Sequence, residues 1–180
     1  MKNLYFLALI AIVLASCQPN AKDTKTTSSV TDTVVTAKKN PNFQWEAATV
    51  YFLLTDRFNN GNPENDLNFE RDEATGKLRG FMGGDIQGIT QKIKDGYFTK
   101  LGVNAIWFTP VIEQVHGATD EGTGNTYAYH GYWAKDWTAL DPNFGTEKDL
   151  ETLVKTAHEN GIRVLLDVVL NHTGPVTEKD

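Results

Sequence analysis

Three short apolar runs, each separated from the next by a helical stripe, constrain this chain more than any other feature. Val50-Tyr51-Phe52-Leu53-Leu54 is continuous, partly aromatic and too short for a typical helix, which fits a strand buried on both faces. Val103 to Phe108 and Ile162 to Leu170 repeat the pattern. Between the first two runs, Ile89, Ile93, Tyr97 and Leu101 fall four residues apart and Gly102 follows, the stripe and stop of one helix. Between the second and third, Thr146 with Asp149 gives an N-cap signal, Leu150, Leu153, Val154 and Ala157 form the stripe, and Gly161 is placed to end it. Strands alternating with helices of this size imply right-handed βαβ units and a parallel sheet, an α/β fold.

A doubly wound sheet and a barrel both satisfy that alternation, and the loop lengths favour the barrel. The segments leaving each strand's C-terminal end, 56–87 and 109–145, are long, whereas the returns from helix to strand are short. Long βα loops over short αβ loops are how a (β/α)8 TIM barrel builds its functional face. A whole barrel takes about 250 residues. The expectation is therefore an incomplete (β/α)8 barrel holding about the first three strands and two helices.

The rest of the chain has other work. Lys2 is followed by an apolar run from Leu4 to Ala15 that closes with Leu14-Ala15-Ser16-Cys17. At about 12 residues it is shorter than the roughly 20 a membrane-spanning helix needs, so residues 1–17 read as a signal peptide. Its ending is similar to the bacterial lipoprotein signal, which implies lipidation at Cys17 and an exported protein held at the cell envelope, at the outer membrane or cell surface, by a lipid anchor. The alternative is a buried cysteine after an ordinary signal. Residues 18–42 are rich in Thr, Ser, Lys, Asn and Asp and hold too little apolar surface to offset their ordering entropy, which predicts a disordered tether. The folded region is expected over residues 43–180. A formal net charge of -6 without clustered Lys and Arg argues against nucleic acid. With Cys17 the single cysteine, an internal disulfide framework and a cysteine-based zinc site are both excluded, so any metal takes oxygen or imidazole ligands.

The segment Asp167-Val168-Val169-Leu170-Asn171-His172 resembles a signature of the α-amylase family, glycoside hydrolase family 13. Four more segments fall in that family's order and spacing. They are Tyr51-Phe52-Leu53-Leu54-Thr55-Asp56-Arg57-Phe58, Gly83-Gly84-Asp85-Ile86-Gln87-Gly88-Ile89, Ala105-Ile106-Trp107-Phe108-Thr109-Pro110 and Tyr129-His130-Gly131-Tyr132-Trp133. The resemblance covers Val50 to about Gly174, and its nearest members by look are bacterial and fungal α-amylases and cyclodextrin glucanotransferases. It implies an enzyme acting on α-1,4-glucans such as starch with retention at the anomeric carbon. By the same resemblance Tyr132 stacks on the sugar at the cleavage point, His130 and Trp133 line the cleft, His172 binds beside the scissile bond and Gln87 contacts substrate. The residues alone leave alternatives: Tyr132 and Trp133 could pack their loop onto the barrel, and Gln87 could serve as a helix cap. Asp167 reads as structural support inside the barrel, where it must be paired to stay charged.

A calcium site is implied as well. Residues 59–66 crowd carboxylate and carboxamide oxygens into a Gly- and Pro-bent loop, the ligand type a hard cation takes six to eight of. Polar turns without metal do the same. Similarity to the glucanotransferases implies Asn60, Asn62, Asn65, Asp66, the Gly83 carbonyl and Asp85 as ligands, and the family resemblance implies Asn171 as one ligand of that family's more widespread calcium, whose partners come from later in the chain. Retaining glycosidases need two carboxyl groups, and in this family the catalytic ones follow strands four, five and seven. Residues 1–180 are thus expected to supply no catalytic residue and, alone, to be inactive and unstable as a monomer. Two other functions remain open: a lipoprotein that binds glucan or calcium without catalysis, and a glucanotransferase.

Overall fold

The structure, a computed structural model, describes residues 43–180. The signal segment, Cys17 and the tether lie outside the described residues. The strands are β1 (Val50–Leu53), β2 (Ala105–Phe108), β3 (Ile112–Gln114), β4 (Thr119–Asp120), β5 (Asn125–Thr126), β6 (Ala134–Leu140) and β7 (Arg163–Leu166). The helices are α1 (Thr55–Phe58), α2 (Ile86–Lys94), α3 (Tyr97–Lys100) and α4 (Glu147–Glu159). β1, β2 and β7 form one parallel sheet in that order, with Val50 opposite Ala105 and Ala105 opposite Arg163. The three apolar runs are therefore its strands, and the two amphipathic segments supply its crossovers.

One face of the sheet, carrying Leu53, Ile106 and Phe108, packs on α2, α3 and α4 through Ile86, Ile89, Ile93, Phe98, Leu153 and Ala157. Each large apolar side chain withdrawn from water there contributes roughly 1.5–3 kcal/mol. The opposite face is not covered among the described residues: Phe52 is 45% and Trp107 41% exposed. Burial on both faces, expected from continuous apolar runs, is thus met on one.

Two elements depart from the sequence pattern for local reasons. The expected single helix breaks at Asp95-Gly96, where Gly96 takes φ +73° and its N–H returns to the Ile93 carbonyl at 3.0 Å, a left-handed helix stop that glycine accepts without strain. Past the break the stripe rotates, so Phe98 is buried while Tyr97 and Leu101 are exposed. The third strand ends at Leu166 rather than Leu170, which leaves Asp167 just beyond the sheet. By contrast α4 begins as expected: the Thr146 Oγ1 accepts from the Asp149 N–H at 3.2 Å and Asp149 accepts from the Thr146 N–H at 2.9 Å.

The long segment after β2 is not bare loop. β3 pairs antiparallel with β6, with register shifts, and β4 with β5. β3 follows β2 after three residues, and the later aromatic loop returns to that strand end at Gly131, where a Cβ would strike the Pro110 carbonyl.

Candidate functional site

Tyr132 and Asp167 meet at the sheet's C-terminal edge. The Tyr132 hydroxyl and the Trp107 indole Nε1 both donate to Asp167 Oδ2, each at 3.0 Å. Burial first, and then the hydrogen bond to Asp167 and its charge, push the Tyr132 hydroxyl up to about 12, so it stays protonated and keeps donating. Asp167 is half-buried and paired, as a carboxylate there must be.

His130 stacks nearly parallel to Tyr132, with centroids 6.0 Å apart and 17° between planes, and stands edge-on to Trp133 at 4.9 Å. Its Nδ1 accepts the Tyr132 N–H at 3.0 Å, so the ring proton is on Nε2. Burial pulls its pKa down, which keeps the ring neutral. The Arg57 guanidinium lies 3.7 Å over the Tyr129 ring and donates to the Leu78 and Gly80 carbonyls, bracing the same loop. The Trp133 N–H donates to Gln114 Oε1 at 2.8 Å. Exposed His172 sets Nε2 3.3 Å from the Tyr132 carbonyl. Five predicted residues, His130, Tyr132, Trp133, Asp167 and His172, are thereby gathered. Flat rings beside hydrogen-bonding groups suit a ligand with an apolar face and a polar rim. One carboxylate cannot perform both halves of a double displacement.

Gln87 and Asn171 stand apart from this group. Gln87 Nε2 donates to Asp149 Oδ1 at 3.1 Å, joining α2 to the start of α4. Asn171 is exposed beyond β7. Trp107 and Gln114 were given no role from sequence, although they hold Asp167 and Trp133. The signal for Trp107 was its alternation in β2, opposite the side of Ile106 and Phe108. Gln114 carried none.

The oxygen-rich loop folds against the start of α2. Asp85 is buried and caps that helix by accepting from the Gly88 N–H, while Gly61 and Asn62 donate to it at 3.1 and 2.8 Å. Burial raises its pKa against the pull of those donors. A carboxylate has about four acceptor positions, so three bonds leave one free. Asn60 Nδ2 lies 2.8 and 2.9 Å from the two Asp66 oxygens, and turning that amide over would offer an oxygen instead. The Asn65 carboxamide is buried and has no aligned partner, although it sits close enough to Asp85 to lower that carboxyl's pKa. Gly83, at φ +86°, leaves room where a Cβ would strike Asn60 and Asp66. An orphaned amide, a vacated Cβ position and two carboxylates among carboxamides fit a calcium ion. The described residues contain no group of three or more His, Cys, Asp or Glu placed to hold a metal, and this donor set does not depend on one.

A parallel sheet that gathers aromatic rings, imidazoles and a pinned carboxylate beyond its strand ends has the layout of an α/β protein whose functional face lies at the strands' C-terminal ends. The chain belongs to the α-amylase family, matching its catalytic domain over residues 52–179. It is 51% identical over 142 residues to the periplasmic α-amylase of Escherichia coli K12, covering 77% of this chain and 21% of that protein. It is 42% identical over 151 residues to the cyclomaltodextrin glucanotransferase of Bacillus licheniformis, covering 83% and 20%. Among solved structures, a cyclomaltodextrin glucanotransferase with a three-domain ABC distribution matches with TM-score 0.64 and 40% identity over 74% of this chain and 27% of that one. The acarbose complex of the Geobacillus thermoleovorans α-amylase matches with TM-score 0.55 and 38% identity, over 73% and 25%. The chain spans about a fifth of the length of its curated relatives.

Proposed function

We propose that the protein is an exported enzyme acting on α-1,4-glucans with retention, and that these residues form part of its substrate cleft. The meeting of His130, Tyr132, Trp133 and His172 around Asp167 carries this reading. Tyr132 offers its ring to the reacting sugar, held by the bond from its hydroxyl to Asp167. His172 and the outward Nε2 of His130 serve sugar hydroxyls, and Asp167 supports the site. Asn60, Asn62, Asn65, Asp66, the Gly83 carbonyl and Asp85 would hold calcium, whose charge would join the loop to α2. Asn171 would ligate a second ion with partners from beyond these residues. The periplasmic relative supports export, and Cys17 is the lipid attachment site. If so, Cys17→Ala releases the protein from the membrane fraction, and equal membrane attachment overturns the anchor.

The test of the cleft is Tyr132→Ala in the intact protein. Losing an oriented ring contact of roughly 1–2 kcal/mol is expected to lower turnover on starch about tenfold. Unchanged turnover leaves Tyr132 a packing residue. A glucanotransferase is the second reading, favoured by 39–42% identity to such enzymes. Cyclic products from starch would select it over the hydrolase.

A further inference from the structure

A buried polar chain runs from the oxygen-rich loop to the aromatic loop. Asn143, 2% exposed, donates from Nδ2 to the carbonyls of Asn65 and Asp66, at 3.1 and 2.7 Å. Its Oδ1 accepts from Arg71 Nη1 at 2.6 Å, so a donor on one side and two carbonyls on the other fix the amide's orientation. Arg71 is 6% exposed, and its fork pairs with Asp141 at 2.8 and 2.7 Å. Nη2 also donates to the Gln114 and Val115 carbonyls at 3.1 and 3.2 Å. Asp141, fully buried, accepts the Asn143 and Gln114 N–H groups, both at 3.0 Å. Gln114 then holds the Trp133 N–H at 2.8 Å. The segment between the loop and Arg71 is strained, since Phe69 and Glu70 take φ of +53° and +51°, a conformation that side-chain-bearing residues keep only when their surroundings impose it. The Phe69 ring is stacked on His116 at 3.7 Å, with the Arg71 guanidinium 5.0 Å from its centroid.

We propose that Asn143, locked by the Arg71–Asp141 pair, is a positioning residue for the cation loop, and that the same pair ties this loop through Gln114 to the backbone of Trp133. The inference rests on the calcium reading given above. The hydrogen bonds of Asn143 to the ligand residues go to backbone carbonyls. Asn143 thus fixes the backbone of two ligand residues, Asn65 and Asp66, and so sets how far their side chains must travel to meet an ion. Arg71 Nε is buried without a partner, but both terminal nitrogens are bonded, and a buried network of this kind transmits placement because Asn143 or the Arg71 fork cannot move without leaving further donors or acceptors unpaired. Linkage makes the tie reciprocal: an ion that orders the loop also orders the aromatic loop.

Calcium titration calorimetry on the intact protein, with hydrogen exchange at the Trp133 amide, tests this. Wild type is expected to bind calcium and Asp85→Ala to lose that binding. Asn143→Ala is expected to raise the calcium Kd at least about tenfold, and Asn143→Ser, a smaller disturbance to folding, at least several-fold. Calcium is expected to slow exchange at Trp133 in wild type and not in Arg71→Lys, which keeps a cation against Asp141 but loses the fork. Wild-type affinity in both folded Asn143 variants would overturn the positioning role and leave the cation site standing. Identical titrations of wild type and Asp85→Ala would overturn the cation reading and this role with it. Trp133 exchange indifferent to calcium in wild type would overturn the tie to the aromatic loop.

Discussion

Replacing Asp85 with alanine removes three backbone partners at once. Its carboxylate caps α2 through the Gly88 N–H and holds the loop through the Gly61 and Asn62 N–H groups. Loss of an N-cap costs typically about 1 kcal/mol, and each further hydrogen bond about 1 kcal/mol net. Against this, burial raises the Asp85 pKa, so ionisation carries a cost that alanine relieves. The net expected loss is roughly 2–3 kcal/mol with EDTA present. Calcium at a hundredfold its Kd would stabilise wild type by about 2.7 kcal/mol more through mass action, and the variant would gain nothing. Thermal melts of both proteins, with EDTA and with calcium, separate the two effects. An unchanged midpoint in EDTA would refute the capping and tethering role. A calcium shift equal to that of wild type would refute this calcium site.

Asp56 gives a pH prediction. It is buried beside the Met82 and Gly83 N–H groups and the Arg57 guanidinium, and burial outweighs these to push its pKa from 3.8 up to about 6. A carboxyl raised on folding favours the native state most below its unfolded pKa and loses that advantage as pH rises through about 6. Urea unfolding in EDTA should show wild type losing roughly 2 kcal/mol relative to Asp56→Asn between pH 4 and 6.5, at about 1.4 kcal/mol per pKa unit, and parallel profiles would refute it. Phe98→Ala should cost about 3–5 kcal/mol and Leu101→Ala within about 0.5 kcal/mol, because the break at Gly96 buries the first and exposes the second. The reverse order in equilibrium unfolding would restore the unbroken helix.

Strand and helix identity was legible in the sequence because those signals are local. The run from Val50, the Thr146 capping box and the stop at Gly161 each depend on neighbours a few residues away, and each appears where expected. The motif order likewise pointed to the family and to the residues now found around Asp167. Tertiary structure decided the rest. The helix break turned on one left-handed glycine whose neighbouring four-residue spacing hid it. The β3–β6 ribbon joins segments some twenty residues apart with a shifted register, so no periodicity announces it. The buried Arg71–Asp141–Asn143 chain unites residues about 70 positions apart. Read singly they are ordinary polar residues of turns, and only desolvation in a shared interior makes each the obligatory partner of the others.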